Sequence, residues 1–105
     1  YMNCSNYYQL EALAEADRRP PEGKENGIAR AEMLDARFGG GAGGRDLSAM
    51  KDVLRHHGSP SICRHGGDDQ SWTEYSMIAL CAERRALFLH GRPCEVEEYG
   101  EVQLW

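Results

Sequence analysis

The apolar residues of this chain change period once, and that change constrains the fold more than any other feature. Ile28, Ala31, Leu34 and Phe38 recur at intervals of three and four, with Met33 beside them. That spacing lays one apolar stripe along a helix. Asn26 reads as its N-cap, and the run Gly39-Gly40-Gly41-Ala42-Gly43-Gly44 ends it, since glycine supplies left-handed backbone at no steric cost. A second helix is expected from Asp46 or Leu47 to about His57, with Leu47, Met50, Val53 and Leu54 on its buried face and Gly58 at its end. From Trp72 the period is two. Trp72 to Ala82 is rich in β-formers, Glu83-Arg84-Arg85 makes a turn, and Ala86 to His90 returns as the hairpin partner. After Gly91-Arg92-Pro93-Cys94, a last strand is expected over Glu97 to Trp105.

Upstream, Met2 to Gln9 reads as a short strand ending in aromatic residues. Leu10 to Lys24 holds Pro20-Pro21 and reads as a surface loop, with a helical turn in Glu11–Ala16. The expected class is therefore α+β, an antiparallel sheet with two helices on one face. Such a sheet leaves edges that a partner sheet or chain would cover.

At 105 residues the chain is one domain or a piece of one. It opens on Tyr1 with strand-like residues at once, so a segment of a longer assembly is expected. The net charge of −5 argues against nucleic acid as a partner, and its arginines are scattered. No apolar run approaches the roughly 20 residues that cross a bilayer, so no membrane partner is expected. Cys4, Cys63, Cys81 and Cys94 form no CxxC pair and are too sparse for a disulfide scaffold. Free thiols in a reducing compartment follow, and a cytoplasmic location with them. The glycine run is a linker rather than a phosphate loop, because it follows a helix and no Lys-Ser/Thr comes after it.

Chemistry concentrates in Ser59-Pro60-Ser61-Ile62-Cys63-Arg64-His65, between the expected helix stop and the Gly/Asp turn Gly66-Gly67-Asp68-Asp69. Arg64 carries a permanent charge that can hold a carboxylate or an oxyanion; a salt bridge to Asp68 or Asp69 is the plain alternative. Cys63 has His65 and His57 nearby in sequence as candidate bases, although adjacent residues rarely orient one another. His56, His57, Cys63 and His65 are all metal-ligand types, but this spacing fits no standard zinc pattern, so no metal is expected and a small metal-binding domain is the third reading. At the end of a helix, His56 and His57 also interact favourably with its dipole. The aromatic residues Trp72, Tyr75, Phe88, Tyr99 and Trp105 read as packing groups.

Ser5-Asn6-Tyr7-Tyr8, Arg30, Ser61-Ile62-Cys63-Arg64 and Gly91-Arg92-Pro93-Cys94 occur in that order. Together they resemble the C-terminal part of the acyl-coenzyme A:isopenicillin N acyltransferase family, peptidase family C45. The resemblance implies half of a four-layer αββα N-terminal-nucleophile hydrolase, made as a self-cleaving precursor. It implies acyl transfer or amide hydrolysis on a small-molecule acyl or amide substrate, without a resident cofactor and with a coenzyme A thioester as candidate acyl donor. Asn6 falls at the position of an oxyanion-hole donor and Arg64 at that of a catalytic-site arginine, with Ser61, Cys63 and His65 beside them as substrate-binding candidates. Tyr7 departs from the family, which has His there. The nucleophilic Cys, whose own α-amino group is the base, is expected on an N-terminal segment or partner chain. The alternative is a non-catalytic binding or structural module that keeps half of the fold.

Overall fold

A computed structural model describes residues 10–40, 46–67 and 71–105. The expected first strand, Asn6, most of the glycine run and Asp68-Asp69 lie outside them. The chain divides into two compact units, Tyr1–Arg45 and Asp46–Trp105. It is α+β, with helices and a three-stranded antiparallel sheet. Among the described residues no helix is long and apolar enough to cross a membrane.

The first unit holds helices α1 (Glu11–Ala14) and α2 (Pro21–Phe38). The short α1 falls within the helical turn expected there. The remainder of the expected loop is shorter than the sequence implies, because α2 starts at Pro21 instead of Asn26. Proline is well suited to a first helical position, where its missing N–H has no intrahelical acceptor. Asn26 is consequently interior to the helix and caps nothing; its buried Oδ1 has no hydrogen-bond partner. The buried stripe runs Gly27, Ala31 and Phe38, and Ile28 sits at its exposed margin. Between α1 and α2, Arg19 grips Asp17 with Nη2 at 2.6 Å from Oδ2 and Nε at 3.0 Å from Oδ1. This fork, opposed by partial desolvation, lowers the Asp17 carboxyl from 3.8 to about 2.

The second unit begins with α3 (Leu47–Leu54). Asp46 is its N-cap, accepting from Ala49 N–H at 2.8 Å. The helix stops three residues short of the expected His57, so Gly58 is not its cap. Arg55 is the C-cap, and the chain then turns away because the His56 carbonyl accepts from both Ile62 N–H (3.0 Å) and Cys63 N–H (2.9 Å).

Strand β1 (Tyr75–Leu80) pairs antiparallel with β2 (Arg85–His90), which pairs with β3 (Gly100–Gln103). The hairpin turns through a single 3₁₀ turn, Cys81–Glu83, and Arg84 at φ 54°. β1 starts three residues later than its β-forming composition implies. Trp72 and Thr73 spend their backbone on the central loop instead, through an antiparallel bridge His65–Trp72 and a bond from Thr73 N–H to the Arg64 carbonyl at 3.0 Å. β3 is also shorter than expected, because Phe88 is the last β2 residue it pairs with, at Gly100.

Register sorts the sheet's faces. Ser76, Ile78, Leu87 and Leu89 are buried on one side. Tyr75, Met77, Phe88 and Val102 lie on the other, between 40% and 64% exposed. Arg55 Nε donates to the Pro93 carbonyl at 3.0 Å, tying the end of α3 to the turn after β2.

Two outcomes test this fold. Leu89→Ala, at a side chain 1% exposed, should cost about 2–5 kcal/mol in urea unfolding; a change within noise would remove Leu89 from the core. In a pH titration followed by carboxyl carbon-13 shifts, Asp17 should titrate at about 2. Because its folded value lies below its unfolded one, its contribution is present above the unfolded value and is lost as pH falls toward the folded one. A midpoint at the ordinary 3.8 would mean that the Arg19 fork is absent in solution.

Candidate functional site

The loop from His56 to Gly66 is shaped by its own backbone bonds. The Ser59–Pro60 peptide is cis. Ser61 Oγ donates to the Cys63 carbonyl at 2.6 Å, so its hydroxyl braces the loop. Arg64 N–H donates to Thr73 Oγ1 at 2.9 Å, and with the His65–Trp72 bridge this holds Arg64-His65 extended. Extended backbone alternates its side chains. Cys63 and His65 accordingly share one side, and their Sγ and Nε2 atoms are 3.7 Å apart. Arg64, between them in sequence, is half-buried. Gly66 closes the segment at φ +82°, where a Cβ would lie 2.5 Å from Trp72 Cζ2, so only glycine fits.

Against this side comes the turn after β2. Gly91 N–H donates to the Glu74 carbonyl at 2.6 Å, and Glu95 and Val96 N–H both bond the Arg92 carbonyl. The turn brings Cys94 in. Its Sγ lies 3.5 Å from Cys63 Sγ and 3.0 Å from His65 Nε2. His57 adds its Nε2 at 3.1 Å from His65 Nε2. All four donor atoms, from His57, Cys63, His65 and Cys94, lie within 4.8 Å of one another.

Burial grades across the cluster. Cys63 is 1% exposed, Cys94 is half-buried, and both histidines reach the surface. Desolvation raises the Cys63 thiol above its ordinary range, with Cys94 both opposing and adding to that shift. A buried thiol held protonated is a poor nucleophile. On the outer side, His65 Nδ1 faces Glu95 Oε1 at 3.7 Å, and Glu95 is itself gripped by Arg92 at 2.6 Å. The Arg92 guanidinium also lies 5.7 Å from the Trp72 ring centroid. Nearby, burial raises the Tyr99 phenol, whose hydroxyl has no hydrogen-bond partner, while Lys51 sits 4.7 Å from its ring centroid.

An open groove of about 440 Å³ runs beside the loop, lined by Leu54, Ile62, Trp72, Tyr75 and Met77 among others. Of the residues expected at the site, Cys63 and His65 are brought together, Ser61 serves the backbone, and Arg64 is not part of the cluster. Asn6 and the Asp68-Asp69 pair proposed to bridge Arg64 lie outside the described residues. In the sequence His56 stands beside the other ligand types and Cys94 stands far from them. His56 in fact folds over Gly58, and the fourth member comes from 29 residues beyond His65. The available signal was the second cysteine-bearing block, Gly91-Arg92-Pro93-Cys94. Comparison with known proteins returned no match: no family model fits the chain, and no curated protein or solved structure matches it.

Gly66→Ala should cost about 1–3 kcal/mol in chemical denaturation, from the positive φ together with the Trp72 contact. Its near-ultraviolet circular dichroism should also change as Trp72 is displaced. Unaltered stability and spectrum would show that the bridge to Trp72 does not pin the loop.

Proposed function

We propose that this chain is the C-terminal portion of an N-terminal-nucleophile cysteine acyltransferase or amidohydrolase. It would contribute half of the fold and accessory catalytic groups to a reaction run by a Cys outside the chain. The observation that carries this reading is the uncovered apolar face of the sheet. Tyr75, Met77, Phe88 and Val102 project from one side of an antiparallel sheet, and the Tyr75 and Phe88 rings stack at 5.8 Å. A contiguous apolar sheet face in water marks a surface built to be covered. Two antiparallel sheets packed face to face, with helices outside, are what the resemblance implies. Two of the blocks behind that resemblance, the more specific Ser61-Ile62-Cys63-Arg64 and the individually weak Gly91-Arg92-Pro93-Cys94, also meet in space through Cys63 and Cys94.

In this reading, attack of the nucleophile's thiolate on an acyl or amide carbonyl forms a tetrahedral oxyanion. Asn6 donates to that oxygen, and Arg64 supplies fixed positive charge for it or for a substrate carboxylate. Collapse expels the amine or thiol and leaves an acyl-enzyme thioester, which water or an acceptor amine resolves. Ser61 and His65 act by holding the loop that presents Arg64. The described cysteines, Cys63, Cys81 and Cys94, are free thiols, in keeping with a cytoplasmic setting.

N-terminal sequencing of every chain that copurifies with the natural assembly should find one that begins with Cys. In that assembly Arg64→Ala should lower kcat/KM about 10²-fold, the scale of losing one oxyanion contact, with unfolding unchanged. Unaltered kinetics would remove Arg64 from the mechanism. A chain that is monodisperse alone and acts in no acyl transfer would favour a binding or structural module instead.

A further inference from the structure

We propose that His57, Cys63, His65 and Cys94 bind a zinc ion as a structural site, independently of the acyl-transfer reading. The cluster centres on His65 Nε2. Three polar atoms converge on it: Cys94 Sγ at 3.0 Å, His57 Nε2 at 3.1 Å and Cys63 Sγ at 3.7 Å. An imidazole nitrogen carries either one N–H or one lone pair, so it can satisfy one of these neighbours and not three. A cation at the centre of the four atoms satisfies all of them at once.

The spacing fits zinc. Bonds of about 2.3 Å to sulfur and about 2.0–2.1 Å to nitrogen, in a tetrahedron, separate two sulfurs by about 3.8 Å and two nitrogens by about 3.3 Å. The corresponding distances here are 3.5 Å between the sulfurs and 3.1 Å between the ring nitrogens. The sulfur–nitrogen distances at His65, 3.0 and 3.7 Å, bracket the value of about 3.6 Å in such a tetrahedron, and every donor pair lies within 4.8 Å. Two soft thiolates and two imidazoles in that geometry select zinc over harder cations, and the two thiolate charges balance the ion's.

The surroundings complete the site. His65 Nδ1 lies 3.7 Å from the Glu95 carboxylate, an ion-pair distance longer than a hydrogen bond, while Nε2 faces the other three donors. A carboxylate on the outer nitrogen is how metal-bound histidines are usually oriented, with Nε2 left as the lone-pair donor. With four protein donors no coordination position is left for water, so the ion holds structure and does not activate a nucleophile. What it holds is the junction between the central loop and the turn after β2, and with it the backbone that carries Arg64.

The test uses the full chain purified under reducing conditions. Elemental analysis should find stoichiometric zinc. After zinc removal, cobalt(II) should bind with the intense visible bands of tetrahedral coordination and a thiolate-to-cobalt charge-transfer band. His57→Gln, at an exposed position, should abolish stoichiometric binding, whereas His56→Gln should retain it. Glu95→Gln should weaken zinc affinity about 10–100-fold without removing the thiolate band. The proposal is overturned by a reduced, folded protein that binds neither metal, by a Cys63–Cys94 disulfide in that protein, or by equal binding in the His57 and His56 variants. Retained stoichiometric binding in a Cys63→Ser, Cys94→Ser double variant would overturn it as well.

Discussion

The contact between Cys63 and Cys94 is the junction on which the second unit depends. It joins residues 31 positions apart. Each comes from a segment with little regular structure and is positioned by backbone bonds: Cys63 by the His56 carbonyl, Cys94 by the Arg92 turn. Arg55 reaches the same turn from the end of α3. Helix, loop and sheet therefore meet at one place, and among the described residues Leu89, Pro93 and Cys63 are the largest fully buried side chains. A small unit of this kind has few apolar residues to bury, and domains near this size commonly rely on an added staple such as a metal.

The loop is held from its other flank by Trp72 and Thr73, which leave the β-ladder to bridge His65 and Arg64. That diversion explains both the late start of β1 and the extended backbone that puts Cys63 and His65 on one side. It separates two kinds of chemistry along three consecutive residues. Cys63 and His65 belong to the inward cluster, while Arg64 is not part of it and shares the loop's rigidity. A metal-held loop and an arginine that stabilises charge are compatible roles for one segment, because rigid support is what electrostatic stabilisation requires.

The sheet poses a separate physical demand. Its inner face is buried and its outer face presents Tyr75, Met77, Phe88 and Val102 to water. A one-residue change of register would exchange these faces, so the pairing Met77–Phe88 and Ile78–Leu87 decides which set is covered. Apart from Ser76, both sets are apolar, which is the signature of a strand pair meant to be enclosed on two sides. That is the reason a larger αββα assembly is the proposed setting.

Sequence periodicity by itself determined α2 and α3, the β1–β2 hairpin and a third strand, because local spacing of apolar residues dictates which face each element can bury. It misjudged where elements begin and end: Pro21 opens α2 instead of ending a loop, and α3 stops at Leu54. These limits depend on which groups take up the backbone's free donors and acceptors. It also placed Cys63 and His65 among metal-ligand types, with no metal expected of them, and set His56 beside them where the fold brings Cys94. Ligand spacing along the chain carries no record of a partner delivered by a turn 29 residues away. Only the tertiary structure decided that, since a metal-type cluster is defined by where donor atoms converge, and convergence is set by how the loop and the turn pack together.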